Sequence, residues 1–365
     1  MEMIQVQEVF KAFDTQTSIE SFTVLNTGHI NDTYLIETKE GVKFVLQRIN
    51  SNVFSEAALM IQNKVLVSLH LQKKMQQYSK DKLHQHVLSF VKTQQGAFFY
   101  VDHNNHYWNL SFFIKGSITY EKTPNTAIAY QAGKATSEFL ALTADFPLES
   151  IKTILPDFHS IDNRYRQFLT ALNAASPTRL KTAELLIDFV QKEQENMRVL
   201  DEAITMNKLP LRLTHNDTKI SNILFNASDI AICLIDTDTV MPGVLHYDYA
   251  DAIRTICNTA DEDESDLLKV QFHLDYFKSY TLGFSENIKE NCTLEEVKLL
   301  PISLQVLPFI MGLRFLTDYL NEDVYYKTNY PAHNLDRAAN QFTLVKEIQQ
   351  NFSEIKTYIT QVFSF

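Results

Sequence analysis

The sequence predicts an α+β chain of two lobes: a small β-rich N-terminal lobe over residues 1–114 and a larger, mainly helical C-terminal lobe over 115–365. Three observations lead there. Runs rich in β-branched and aromatic residues crowd into 22–114, and apolar spacing of helical period fills most of 124–363. The two strand signals in that second stretch both run into polar clusters.

In the first lobe "FTVL", "TYLIET" and "FVLQRI" are separated by the turn signals "NTGHIND" and "KEGVK", which reads as a β-meander. A helix follows over 55–74, with Leu59, Val65, Val67 and Leu71 as its apolar face. "HVLSFVKT", "AFFYVDH" and "YWNLSFFI" add strands, the last two joined by the polar turn "HNN". The expected lobe is a five-stranded sheet with one helix, ending near Ile114.

In the second lobe the spans 124–145, 160–207, 263–285, 293–322 and 335–363 read as helices. The acids of "DEDESD" at 261–266 suit a helix start, where the helix dipole favours negative charge. "LRLTH" and "IAICLID" are the strand signals. Between the lobes a cleft is expected.

The chain is long enough, at 365 residues with 45% hydrophobic content, for each lobe to bury a core. A net charge of −11 argues against nucleic acid, whose binding draws on clustered Lys and Arg, and favours a small-molecule ligand. No run approaches the roughly 18 apolar residues of a membrane span, and "MEMIQVQEVFKAFDTQ" lacks a signal-peptide core. Cys233, Cys257 and Cys292 have no C-x-x-C spacing, so they read as buried thiols in a reducing cytoplasm. No feature indicates an oligomeric state.

The chemistry concentrates in "THNDTKISNILFN" at 214–226, which contains an H-x-D-x-x-x-x-N pattern from His215 to Asn222, and in "LIDTDTVMPG" at 234–243. Phosphoryl transfer needs a carboxylate near the acceptor hydroxyl and cations that neutralise phosphate charge. Asp217 suits the carboxylate, Asn222 a neutral oxygen ligand for Mg²⁺, and Asp236 the anionic ligand that hard cations favour. Asp and Asn at strand ends also cap turns, but this ordered combination after two apolar strands favours the functional reading. His215 is expected to fix the loop by hydrogen bonds.

These motifs resemble the aminoglycoside phosphotransferase and choline kinase superfamily, whose lobe order and H-x-D-x-x-x-x-N…D order match nearly end to end. Within it, "GHINDTYLI" (28–36), "FVLQRIN" (44–50), "THNDTKISNILF", "IDTDTVMPG", "YDYADAIR" (247–254), "RFLTDYLNEDVYYK" (314–327) and "HNLDRA" (333–338) are similar to N-acetylhexosamine 1-kinases. The resemblance implies a protein-kinase-like fold and Mg²⁺-dependent transfer of the γ-phosphoryl group of ATP to the anomeric hydroxyl of N-acetylglucosamine or N-acetylgalactosamine. Asp217 is then the base. An anomeric hydroxyl is more acidic than an ordinary alcohol, so a carboxylate can take its proton late in a loose transition state.

The same resemblance places the turn at 26–33 over the nucleotide, with Gly28, Asn26, Asn31 and Thr33 beside phosphate oxygens. Gly28 is the only glycine there, a departure from G-x-G-x-x-G loops. The strand that usually carries a phosphate-pairing lysine has Gln47 and Arg48 instead. Register favours Gln47 and charge favours Arg48, with Glu56 or Gln62 as the helix partner. For the sugar the resemblance points to His29, Arg314 and Tyr325, although Arg314 also stands one turn from Asp318, a normal helix ion pair. Thr255 stands where a bulkier aromatic is expected against the sugar, which leaves room for a different acyl group or a larger sugar. Asp238 is placed near a possible second metal, and Asp248 and Asp251 as braces of the loop. Two other readings remain open: a kinase for an amino alcohol or aminoglycoside, and a nucleotide-binding scaffold without turnover.

Overall fold

Helix α1 (Met3–Lys11) repeats its apolar residues at helical spacing, and Val6, Val9 and Phe10 cover one face of an antiparallel sheet in the computed structural model. The structure describes residues 3–25, 30–75, 83 and 85–364. The sheet has five strands, β1 (Ile19–Leu25), β2 (Asp32–Thr38), β3 (Lys43–Arg48), β4 (Tyr100–Val101) and β5 (Tyr107–Phe112), in the order β1-β2-β3-β5-β4. Its registers pair Tyr34 with Leu46 and Leu46 with Leu110 on the face toward α1. Because side chains alternate, the opposite face carries Thr33, Gln47 and Asn109 as one polar row. Helix α2 (Ala57–Lys74) follows β3.

The sheet has five strands as expected, and of the six runs read as strands "HVLSFVKT" is the one left out. Phe90 and Thr93 form only isolated bridges, to Ser111 and Phe13. The buried stripe of α2 also differs from the expected face. It runs through Ala57, Met60, Ile61, Lys64, Val65 and Ser68, whereas Leu59 and Leu71 are only partly buried.

Contacts divide the chain into two compact units. One comprises 1–118, 142–156 and 224–242, and the other 119–141, 157–223 and 243–365. The first therefore includes the hairpin of β7 (Ile223–Phe225) with β8 (Ala231–Leu234), apart from its first residue.

The second unit is mainly helical. Its helices are α3 (Thr126–Leu142), α4 (Ile161–Ala174), α5 (Pro177–Glu193), α6 (Val199–Thr205), α7 (Leu245–Ile256), α8 (Leu274–Ile288), α9 (Leu294–Leu320), α10 (His333–Gln350) and α11 (Phe352–Val362). Helix α9 is long and apolar enough to cross a membrane, but 78% of that stretch is buried against other helices, which makes it the core helix of this unit. Its start is fixed by a capping box between Thr293 and Glu296. It packs on α10, α7 and α4, and Gly312 lets the Phe342 ring approach to where a Cβ would lie 2.5 Å away.

Three helix expectations change. The span 160–207 is three helices, the second opened by Ser176 as cap and Pro177, and 335–363 breaks at Asn351. "DEDESD" starts only a short 3-10 turn, Leu267–Lys269, which Asp266 caps by accepting the Leu268 amide at 3.2 Å, and α8 begins only at Leu274. Its acids instead pair with basic side chains: Asp261 with Lys122, Glu262 with Arg254 and Glu264 with Lys269. Helix α7 was not foreseen: nearly all of its residues are buried, and its polar face, with Asp248 and Asp251, is turned to the interior rather than to solvent.

Candidate active site

Strand β6 (Arg212–Thr214) leads directly into the H-x-D-x-x-x-x-N loop. The Thr214 side chain lies where a Cβ on Gly243 would come within 2.4 Å, so only glycine fits beside the loop entry. Asn216 takes a left-handed conformation with φ of 64°. The loop is held by one face of α7. The carboxylate of Asp248 accepts the His215 and Asn216 amides at 2.9 and 2.7 Å, and its backbone carbonyl accepts the Thr218 hydroxyl at 2.6 Å. Asp251 accepts the Thr218 amide at 3.0 Å, and the Thr255 hydroxyl accepts the Ile220 amide at 3.3 Å. Residues 248, 251 and 255 share a helix face, so the three line up along the loop.

Asp248 and Asp251 thus brace the loop as expected. Burial pushes the Asp248 carboxyl up to about 7, against the two amides that favour its ionised form. Asp251 is also raised by burial, although Arg254 donates to it twice at 3.0 Å. Thr255, expected against the sugar, has its hydroxyl engaged by the loop amide and the Ala252 carbonyl. His215 is fully buried with its ring in edge contact with Phe139.

Asp217 itself is reached by solvent. Its Oδ2 accepts from Lys219 Nζ at 3.2 Å and from Asn222 Nδ2 at 2.9 Å, while Oδ1 has no hydrogen-bond partner among the described residues. Burial raises its carboxyl, but the charges of Lys219, His215 and Arg254 prevail and hold it below the usual carboxylate range. Asn222 Nδ2 also donates to the Asp217 carbonyl at 2.9 Å, and the Asn222 amide oxygen accepts no hydrogen bond among the described residues. One neutral oxygen from Asn222 fits a hard cation such as Mg²⁺, which takes few protein ligands and completes its shell with water and phosphate. The described residues contain no cluster of three or more His, Cys, Asp and Glu side chains.

Arg314 lies in the same unit as Asp217. Its guanidinium sits 5.1 Å from the Phe158 ring and 5.7 Å from that of Tyr326, with no carboxylate in ion-pair distance among the described residues. A second guanidinium, Arg164, rests 5.8 Å from the same Phe158 ring. Burial and the Arg314 charge lower Arg164 to about 10. Asp318 is not the partner of Arg314. Its carboxylate caps the turn after α9, accepting the Tyr325 and Tyr326 amides at 2.8 and 2.9 Å and Asn334 Nδ2 at 2.9 Å. Tyr325, expected to meet the sugar, is 54% exposed on that turn. His159 is buried between Phe158 and Tyr247, and burial together with Arg314 and Arg164 lowers it to about 3.

The first unit carries Asp236, which is left-handed at φ 60° and opens a short 3-10 turn, Thr237–Thr239. Asp238 within that turn ion-pairs with Lys64 of α2 and accepts from Asn31. Both of its oxygens are therefore engaged by protein. Lys64 Nζ also donates to Gln47 Oε1 at 2.9 Å, and Asn109 donates to the same oxygen at 3.4 Å. Arg48, expected at the phosphates, projects from the other face of β3, where it pairs with Asp32 and lies 5.9 Å from the Trp108 ring. Thr33 lies on the Gln47 face, and Asn31 accepts the Asn50 amide at 2.8 Å. Gly28 and His29 fall outside the described residues, as does Asn26.

Of the expected residues, the structure brings Asp217 and Asn222 into direct contact and places Thr255, Arg314 and Tyr325 in the same unit. Asn31, Thr33, Arg48 and Asp236 belong to the other. Lys64 was missed. It stands at i+3 from Ile61 and i+4 from Met60, and a charged residue in a buried helical stripe was the available signal.

A model of the phosphotransferase enzyme family matches residues 21–279. The chain is similar in fold to an aminoglycoside phosphotransferase from Alicyclobacillus acidocaldarius, with a TM-score of 0.59 at 14% identity, covering 97% of this chain and 96% of that one. It is similar to choline kinase from Cryptosporidium parvum Iowa II, with a TM-score of 0.59 at 12% identity, covering 98% and 99%. A third similar structure is an amicoumacin kinase in complex with AMP-PNP, Ca²⁺ and Ami, with a TM-score of 0.58 at 12% identity, covering 96% and 94%. The mixed α+β chain, with its antiparallel sheet and helical second unit, has the protein-kinase-like fold of these enzymes.

Proposed function

We propose, for a chain that belongs to the phosphotransferase enzyme family and is a kinase-type small-molecule phosphotransferase, that its reaction is Mg²⁺- and ATP-dependent phosphorylation of the anomeric hydroxyl of an N-acetylhexosamine. The observation that carries the acceptor class is the pair of guanidiniums, Arg314 and Arg164, on one Phe158 ring. Arg164 gives its donors to the Phe158 carbonyl and to Gln167, so it contributes positive charge, while Arg314 has no carboxylate in ion-pair distance among the described residues; together they suit an acceptor rich in hydroxyl and carbonyl oxygens and repel the ammonium groups of choline or an aminoglycoside. The acids at 261–266, which would favour such cations, are largely taken by lysine and arginine.

Asp217 Oδ1 is the oxygen that takes the acceptor proton, and Oδ2 stays anchored by Lys219 and Asn222. A carboxyl held below its usual range is ionised at neutral pH and ready for that role. Lys219, beside it, places a positive charge where phosphate charge builds up. The Asn222 amide oxygen and the Asp236 carboxylate are the metal ligands in this reading, and the cation, when bound, neutralises phosphate charge. The polar row Thr33, Gln47 and Asn109, with Asn31, forms the nucleotide side. We place the reaction in the cytoplasm, in line with the lack of any disulfide joining the three cysteines.

An ADP-release panel with N-acetylglucosamine, N-acetylgalactosamine, choline, homoserine and kanamycin tests this. Turnover on an acetylated hexosamine is expected, and silence on both defeats the acceptor assignment. A Mg²⁺-dependent thermal shift with ATP, but no ADP release on any acceptor, marks a scaffold instead.

A further inference from the structure

The strand position that would carry a phosphate-pairing lysine holds Gln47, and the nearest ammonium comes from the helix. Lys64 is 3% exposed, a burial that a charged lysine tolerates only with partners. It has two: Gln47 Oε1 at 2.9 Å and the equally buried carboxylate of Asp238. Asp238 stands two residues after Asp236, inside the turn that Asp236 opens in a left-handed conformation. That conformation is unfavourable for a residue with a Cβ, so it persists only where its surroundings hold it. Helix α2 supplies the hold twice over, since Asn63, next to Lys64, donates to the Val240 carbonyl at 3.4 Å and to that of Lys152 at 2.7 Å. Asn31 closes the other oxygen of Asp238.

We infer that Lys64 is a positioning residue for the metal-nucleotide site: its ammonium, delivered from α2 and steered by Gln47, clamps Asp238 and so fixes the direction of the Asp236 carboxylate. This rests on the reading of Asp236 as a metal ligand. At 3% exposure the ammonium acts through Asp238 rather than by touching phosphate. The amide stands on the strand and the amine on the helix. A lysine at 47 is one atom longer than glutamine and brings its ammonium toward the same carboxylate.

The test is calorimetric binding of ADP to the full chain, with and without Mg²⁺. Outer groups that orient a metal ligand typically affect metal affinity by about 10- to 100-fold, so Lys64→Met is expected to weaken Mg·ADP binding by about tenfold or more and metal-free ADP binding far less. The exchange variant Gln47→Lys/Lys64→Gln is expected to recover most of that loss. Unchanged Mg·ADP affinity in Lys64→Met, equal loss with and without Mg²⁺, or no recovery in the exchange variant overturns the inference. If Lys64→Met fails to fold, Asp238→Asn removes the other charge at constant shape and must show the same Mg²⁺-specific loss. Wild-type protein that binds no Mg·ADP overturns the functional reading together with the inference, whereas a wild type that binds and a Lys64→Met that matches it overturns the inference alone.

Discussion

Asp248 holds the amide of Asn216 at 2.7 Å while Asn216 is in a left-handed conformation, one residue before the carboxylate assigned as base. The position of Asp217 thus depends on a helix that begins some thirty residues later in the chain. Removing that acceptor strands two buried amides, which costs about 1–3 kcal/mol for each unsatisfied group. Asp248→Ala is expected to lower unfolding free energy by roughly 2 kcal/mol or more in urea titration and to lower kcat at unchanged nucleotide affinity. Full activity in a stable Asp248→Ala protein would show that the loop holds itself.

Asp217→Asn keeps the shape of the loop and removes the proton acceptor. We expect kcat to fall by roughly 10²- to 10⁴-fold, with Mg·ATP binding largely intact. Full turnover would sink the base assignment.

Arg314→Met retains the apolar stem on Phe158 and deletes the donors. Hydrogen bonds to charged groups contribute ~1.5–3 kcal/mol, so KM for the acceptor is expected to rise roughly 10- to 100-fold with little change in KM for ATP. Equal effects on both substrates would place Arg314 outside the acceptor subsite.

His159 has a folded pKa of about 3 against an ordinary 6.5, so the folded protein keeps it neutral where the unfolded chain binds a proton. Its contribution is complete above 6.5 and is lost as pH falls toward about 3. His246, lowered by burial to about 4, acts in the same direction. Asp248, raised to about 7, opposes both by favouring the folded state at lower pH, so the comparison must be between variants. His159→Phe, which can stack between Phe158 and Tyr247, is expected to flatten the acid limb of unfolding free energy against pH relative to wild type. Parallel curves would rule out this titration.

Much of the chain was legible in its residues. Strands β1 to β3 show alternation and turn signals, and α9 shows a long apolar period, because local geometry dictates those patterns. The H-x-D-x-x-x-x-N spacing likewise identified Asp217 and Asn222, which meet within a single turn of chain and need no distant element to do so. Helix α7 was not read from the sequence although Asp248 and Asp251 share one of its faces, because those acids serve a buried loop rather than solvent, and the start of α8 at Leu274 rather than 263 was not legible either.

What the sequence by itself determined was chemistry carried by near neighbours: the strand runs, the loop acid and its asparagine, and an arginine in an apolar helix that had to have a reason. Only the tertiary structure decided which distant groups meet. It paired Arg48 with Asp32 and turned it from the Gln47 face, gave Asp318 to the backbone of Tyr325 and Tyr326, and brought Lys64 to Asp238 across 174 positions. The physical reason is that a charge inside protein takes whichever partner packing brings within about 3 Å, and spacing along the chain holds no record of that for residues far apart.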